Sequence, residues 1–351
     1  MCKYPLTGEK TYYKIHLCES IRTSVNHRSD VNDVKLSDER LNLLADIADM
    51  YFLKGKTQSE IAGLVRMTRS NVSRLLKEAK QSGIVEIHIN RPIKEDTALA
   101  QELVERFDLI NARIVETEHS ENRLNRLGRV AADELIYRLK PNMILGTSWG
   151  TGISATVDEL ENKTFIPGIK VVQMVGALGA HGKEYDGPAI VSRLEEKLDA
   201  EGIYFRAPFF VESEEMAQSI LETRSVAETL SIASQADIAL LGIGSIDLEH
   251  SSYYLAGYAT KEEILTVQKS GAIGDVCAHF FDLNGKFINH PLRSQMIIAS
   301  EDVVQNIPIR IGVAGGREKI LPIIGALRGG LVNILITDVI TAREVLCRAK
   351  S

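Results

Sequence analysis

Cysteine is scarce in this 351-residue chain: Cys2, Cys18, Cys277 and Cys347 are all there are, and no two form a C-x-x-C pair. Their scatter excludes a zinc framework and points to free thiols in a reducing compartment. Long apolar runs are missing too. Nothing approaches the roughly 20 residues of a membrane span, and the N-terminus lacks the apolar core of a signal peptide. A soluble, cytoplasmic protein with no membrane partner is expected. Positive charge is not in excess either. The formal net charge is -6, which rules out a generally basic coat and confines any nucleic-acid contact to a local patch. A complete G-x-G-x-x-G is also lacking, because Gly242-Ile243-Gly244 has no third glycine at the required spacing. No cofactor and no metal are expected.

What is there suffices for two or three domains with a sizeable core. Hydrophobic residues at 44% and charged residues at 25% are ordinary globular values, with no signal for disorder or fibres.

The most informative stretch runs from Thr57 to Ile89. Thr57 and Glu60 make a capping box, and Ile61, Ala62, Leu64 and Val65 give the helix after it an apolar face. Thr68 can cap a second helix whose inward side carries Val72, Leu75, Leu76 and Ala79. Gly83 ends that helix, and the alternation from Ile84 to Ile89 reads as a wing strand. The pattern is that of a winged helix-turn-helix. Thr57, Gln58 and Thr68 stand at the two helix starts, and Arg69, Ser70, Asn71, Ser73, Arg74 and Lys77 form the outward face of the second helix. Arg can fork onto guanine, Asn onto adenine, and hydroxyls and Lys onto phosphates, so double-stranded DNA is the expected partner. Between Thr57 and Lys80 five basic residues, Arg66, Arg69, Arg74, Lys77 and Lys80, outweigh Glu60 and Glu78. A helical hairpin with a solvated charged face is the plainer alternative.

Residues 1–36 show no sustained period and are expected as a poorly ordered tail. The DNA-binding domain is placed at 37–92, with a support helix capped by Ser37 and carrying Leu41, Leu44, Ile47, Ala48, Tyr51 and Phe52. A linker helix with Leu99, Leu103, Val104 and Phe107 is placed at 93–110; it could pair protomers or pack on its own domain. Residues 111–351 alternate apolar strands with helices. Strands are expected at 112–116, 143–148, 170–176, 204–208, 237–244, 307–315 and 332–338. Helices are expected at 122–139, 150–161, 188–200, 223–234, 260–269, 317–327 and 339–349. This order predicts an α/β, Rossmann-like, mostly parallel sheet covered on both faces. A hairpin is expected around the Asn284-Gly285 turn.

In such a sheet, ligands bind beyond the carboxyl ends of strands, where helix N-termini offer amides to anions. Four strand ends are glycine-rich: Gly146 to Gly152, with Thr147, Ser148, Trp149, Gly150 and Thr151; Gly176 to Gly179; Gly242 to Ser245, with Gly244; and Gly315-Gly316, followed by Arg317 and Lys319. Each alone is an ordinary tight turn, but together they point to a phosphate-bearing small molecule. The string GTSWG also fits the G-x-S-x-G nucleophile elbow, with His250, His279 or His290 and Asp237, Asp247, Asp275 or Asp282 available as partners.

Taken in order, TQSEIAGLVRMTRSNVSRLLKEAKQSGIVEI, GTSWGTGI, LLGIGSI, GAIGDVCAHFFDLNGK, IPIRIGVAGGREK and VNILITDVITAREVL resemble the SorC family of bacterial sugar-responsive transcription regulators, from about residue 38 to 348. The resemblance implies an effector domain similar in fold to ribose-5-phosphate isomerase and glucosamine-6-phosphate deaminase. It also implies a homo-tetramer or homodimer whose repressor-like grip on operator DNA changes with a bound sugar or sugar phosphate. Carried over by position, Thr147, Ser148, Gly150 and Thr151 would cradle phosphate, Gly315, Gly316 and Lys319 would close on it, and Asp275 would accept sugar hydroxyls. Asp275 as a structural cap and Lys319 as a helix-surface lysine stay open. So does an isomerase-type enzyme fused to a DNA-binding domain, although no acid pair has a spacing that demands proton transfer.

Overall fold

The computed structural model describes residues 13–17, 38–89, 92–117, 123–160, 165–179 and 184–349. They fall into two compact units that divide between Pro92 and Ile93.

The smaller unit holds β1 (Tyr13–Leu17), α1 (Asp38–Ala48), α2 (Gln58–Leu64), α3 (Arg69–Gln81) and β2 (Val85–Ile89), with a π-helical turn at Asp49–Leu53. Local chemistry explains its helix boundaries. The Thr57 hydroxyl accepts from the Glu60 amide and the Glu60 carboxylate accepts from the Thr57 amide, closing the capping box at 3.3 and 2.8 Å. Thr68 accepts from the Asn71 amide at 3.2 Å and starts α3. Gly83, with φ +74°, follows its end. Between the helices Arg66 takes the left-handed conformation, φ 52°, which breaks α2 cleanly. Leu44, Ile47, Ile61, Val72, Leu75 and Ala79 are buried together as the core of this unit. Arg40 forks onto Glu78 at 3.0 and 2.6 Å and clamps α1 to α3.

Two details differ from expectation. Leu64 is 61% exposed, because the buried arc of α2 runs through Ile61, Ala62 and the half-buried Val65. Tyr13–Leu17, inside the stretch expected as a tail, pairs antiparallel with Val85–Ile89. Its five-residue alternation has the strand period, but its partner lies far along the chain. Ser37, expected as the α1 cap, is outside the described residues.

The larger unit runs α4 (Thr97–Phe107), β3 (Asn111–Val115), α5 (Arg123–Arg138), β4 (Ile144–Thr147), α6 (Thr151–Glu159), β5 (Lys170–Gln173), α7 (Gly187–Leu198), β6 (Glu201–Ile203), α8 (Glu214–Leu221), α9 (Arg224–Ala233), β7 (Ile238–Ser245), α10 (Ser252–Leu255), α11 (Lys261–Lys269), β8 (Gly274–Val276), β9 (His279–Phe281), α12 (Pro291–Ser294), α13 (Glu301–Asn306), β10 (Ile309–Val313), α14 (Ile320–Arg328), β11 (Ile334–Asp338) and α15 (Val339–Ala349). Seven strands in the order β3-β11-β10-β7-β4-β5-β6 pair in parallel, and the antiparallel β8–β9 hairpin extends from the end of β7.

Period-two alternation feeds two apolar layers. Ile238, Leu240, Ile334 and Ile336 point into one layer, with Leu127, Ile153 and Val191 from α5, α6 and α7. Ala239, Leu241 and Leu335 point into the other, with Ile264, Ile323 and Val345 from α11, α14 and α15. Both faces are covered, as near-continuous apolar strands require.

Residues 93–110 are built into this unit: Leu103 is wholly buried in its core and Leu99, Val104 and Phe107 pack beside it. The strand expected at 204–208 lies instead at Glu201–Ile203; Phe205 and Ala207 turn away into a separate apolar cluster with Val211, Val226 and Ile297. The tightest hairpin turn is at Cys277 and Ala278, both with positive φ, 50° and 65°. Asn284 and Gly285 make a second turn, closed by a bridge between Phe281 and Phe287. No helix among the described residues is long and apolar enough to cross a membrane.

Candidate functional site

The chain leaves β4 towards β5 on one side of the sheet and leaves β7, through the β8–β9 hairpin, towards β10 on the other. A crevice opens where neighbouring connections part in this way. Here it is a cleft of about 470 Å³, walled by residues that follow β4, β7 and β10, by the hairpin turn, and by the segment around α10. Ser148, Trp149, Gly150, Thr151, Gly244, Asp275, Gly315 and Lys319 all line it. The backbone of α6 starts here with no side-chain cap, so its first amides are left for another acceptor.

Three expected residues are not brought to the wall. Thr147 is wholly buried and its hydroxyl donates to the Ser148 carbonyl at 3.3 Å. Gly176 lies beyond β5, away from the crevice, and allows close backbone packing: a Cβ there would stand 2.3 Å from the Pro208 carbonyl oxygen. Gly316 donates its amide to Thr341 Oγ1 at 2.9 Å and so faces α15.

Asp275 is the deepest charged group of the cleft, 8% exposed on β8. The Tyr253 hydroxyl donates to its Oδ2 at 2.8 Å, while Oδ1 makes no hydrogen bond of ordinary geometry. Oδ1 rests over Gly244, directly opposite in the β7–β8 register; a Cβ at position 244 would lie 1.7 Å from it. Burial pushes the Asp275 carboxyl above its ordinary range, opposed by the Tyr253 hydroxyl, the Lys319 charge and the nearby Ala278 amide. Burial likewise pushes the half-buried Lys319 amine down, opposed by Asp275 and Glu318. The Cys277 thiol is pushed up to about 12, chiefly by burial, and is inert as a nucleophile.

The cleft therefore offers uncapped amides, a lysine and a buried carboxyl within one sugar-sized space. His250, considered above only as a partner for Ser148, also lines it, and sequence reasoning missed Arg123, Tyr185, Glu249, Ser252 and Leu255. None belongs to a glycine-rich strand end, so no local pattern marked them.

Among the described residues no hydrogen bond joins Ser148 to His250, His279 or His290. Ser148 lacks the positive φ of a strained elbow. His250 pairs with Asp247 at 3.3 Å, His279 with the Ala299 carbonyl at 2.9 Å, and His290 accepts from the Leu292 amide at 3.1 Å. None of these bonds involves Ser148. Among the described residues no group of three or more His, Cys, Asp and Glu is placed to hold a metal ion.

On the smaller unit, Arg69, Ser70, Asn71, Ser73, Arg74 and Lys77 are all exposed on α3, while Val72, Leu75, Leu76 and Ala79 are buried beneath them. Thr57 and Thr68 are exposed and Gln58 is half-buried. The Thr57 hydroxyl also donates to Glu60 at 2.8 Å, so its proton is committed to the cap.

Residues 91–347 match the family model described as "Putative sugar-binding domain". The transcriptional regulator LsrR of Klebsiella pneumoniae subsp. pneumoniae is 31% identical over 309 residues, 88% of this chain and 93% of that protein. LsrR of Escherichia coli K12 is 30% identical over 321 residues, 90% of this chain and 99% of its own length. The crystal structure of the full-length sorbitol operon regulator SorC from Klebsiella pneumoniae superposes with a TM-score of 0.68 at 27% identity, over 88% of this chain and all of that one. The chain belongs to the sugar-binding-domain family that includes the LsrR- and SorC-type transcriptional regulators.

Proposed function

We propose that this protein is a DNA-binding transcriptional regulator of a carbohydrate operon, and that a sugar or sugar phosphate in the cleft sets its affinity for operator DNA. The smaller unit acts as a winged helix-turn-helix, with α3 as the recognition helix and Arg69, Asn71 and Arg74 as base readers. The larger unit acts as the effector domain, similar in fold to sugar-phosphate isomerases.

One observation carries this reading: uncapped α6 amides, Lys319 and the buried Asp275 share one cleft at the sheet's switch point. Amides and a lysine suit a phosphoryl group, and a carboxylate suits hydroxyls. A dimer or tetramer would let two reading units span operator half-sites, and a ligand preferring one arrangement would shift the equilibrium.

A second reading, a sugar-phosphate isomerase, is favoured by the opposite displacements of Asp275 and Lys319 towards their neutral forms in one cleft. Incubation with ribose 5-phosphate and assay for the ketose separates the two, because a binder releases its ligand unchanged.

The direct test is thermal unfolding of the full chain against ribose 5-phosphate, fructose 6-phosphate, glucosamine 6-phosphate, the corresponding free sugars and inorganic phosphate. A ligand at 100 times its Kd stabilises the folded state by about 2.7 kcal/mol. At least one sugar phosphate is expected to raise the melting temperature by more than its free sugar or inorganic phosphate does. No shift with any of them contradicts the effector reading.

A further inference from the structure

Tyr253 is wholly buried on α10, yet a phenylalanine would fill the same space. Its ring is stacked on Phe209 with centroids 6.1 Å apart and meets Trp149 and Phe280 edge-on at 6.0 and 5.5 Å. Three rings fix the direction of its hydroxyl. The hydroxyl's one hydrogen bond among the described residues is the 2.8 Å bond to Asp275 Oδ2.

The same short helix and its flanks supply Glu249, His250, Ser252, Leu255 and Ala256 to the cleft wall. Tyr253 thus joins this wall to the carboxylate. Oδ1 of that carboxylate is covered and makes no hydrogen bond of ordinary geometry, an arrangement a buried acceptor does not tolerate without cost.

We infer that Tyr253 is a positioning residue for ligand binding: its hydroxyl holds Asp275 ionised and oriented, so that Oδ1 takes a hydroxyl donor from the ligand as the carboxylate pivots about its bond to Tyr253. The inference rests on the effector reading of the cleft, whose ligand it narrows to a molecule with a hydroxyl at this depth.

A buried carboxylate is kept charged only by donors and nearby cations. Tyr253 is the donor from α10, Lys319 the cation from the turn before α14, and the Ala278 amide approaches from the hairpin turn. Burial, joined by Asp275 and Cys277, keeps the Tyr253 phenol protonated well above its ordinary range against the opposing pull of Arg293 on α12, so it donates throughout the accessible pH range. Glu318 stands beside Lys319, and Glu301 beside Arg293. Without the phenol, the Asp275 carboxyl moves further up, towards its neutral acid. A neutral acid is a poor acceptor for a hydroxyl.

The test is calorimetric titration of full-length Tyr253→Phe and wild type with ribose 5-phosphate, fructose 6-phosphate and inorganic phosphate, from about pH 6 to about pH 9. Losing a hydrogen bond to a charged group predicts a roughly tenfold to hundredfold loss of sugar-phosphate affinity near pH 7. That loss shrinks as pH rises and the carboxyl ionises, while affinity for inorganic phosphate is unchanged. Wild-type affinity at neutral pH overturns the inference, and so does a loss of equal size at every pH. If wild type binds neither of these two sugar phosphates, the wider thermal panel decides the effector reading separately. The inference is then decided by carbon-13 titration of the aspartate carboxyls, with Asp275 assigned through Asp275→Asn. A higher Asp275 midpoint in Tyr253→Phe supports it, and equal midpoints overturn it.

Discussion

Gly244→Ala should lower sugar-phosphate affinity by about tenfold to a hundredfold while the protein stays folded and binds DNA. A Cβ at this position would stand 1.7 Å from Asp275 Oδ1 and 2.7 Å from its Cγ, far inside contact distance. The nearest backbone around it is fixed by the pairing of Gly244 with Asp275 in the β7–β8 ladder. The carboxylate, as the end of a side chain, is what moves. Moving it breaks the bond from Tyr253 and withdraws the cleft's buried acceptor. Overpacking of this kind costs about 1–3 kcal/mol, and most of it falls here on the site, because the displaced group belongs to the site. Calorimetry with ribose 5-phosphate and fructose 6-phosphate, beside chemical denaturation, checks both parts. Wild-type affinity in the variant would mean that Asp275 takes no part in binding.

The second large effect is expected at the opposite end of the chain. Arg69→Ala and Arg74→Ala should each weaken operator binding by about 1–3 kcal/mol if both reach base edges, and the double variant should lose roughly the sum. Both side chains are exposed, and the buried positions of α3 lie on the other side of the helix. Arg74 shares the neighbourhood of Glu78, whose carboxyl is held below its ordinary range mainly by the Arg40 fork. The fork leaves Glu78 committed to Arg40, so Arg74 remains available to DNA. Lys77→Ala provides the comparison: a phosphate contact should weaken all sequences alike and reduce the salt slope by about 1. Binding unchanged in both arginine variants removes α3 as the recognition helix.

Local chemistry was the legible part of this molecule. Thr57 with Glu60, Thr68 before α3 and Gly83 after it act within a few residues, so the sequence displays their consequences directly. The parallel sheet was legible for a related reason: strands buried on both faces are apolar almost throughout, as Ile334–Ile336 and Ile238–Leu241 are. Glycine-rich strand ends located the cleft, but not which of their residues face it. Thr147 and Gly176 carry the same local signal as Ser148 and Gly244, and only the placement of β4 and β7 beside the switch point separates them.

Illegible features depend on contact between distant segments. The Tyr253–Asp275 bond joins α10 to β8, and the Arg40–Glu78 fork joins α1 to α3. The hairpin turn at Cys277 and Ala278 uses two residues that carry no turn signature. Left-handed backbone at a non-glycine residue is costly, and here the antiparallel pairing of Gly274–Val276 with His279–Phe281 imposes it.

The central claim is that the cleft governs the grip of the smaller unit on DNA. It is tested most directly by titrating the full-length protein against DNA flanking its own gene, with and without each sugar phosphate that stabilises it thermally. The account predicts that such a ligand changes operator affinity by about fivefold or more in wild type and leaves it unchanged in Gly244→Ala. Equal operator affinity with and without every ligand that binds would contradict it.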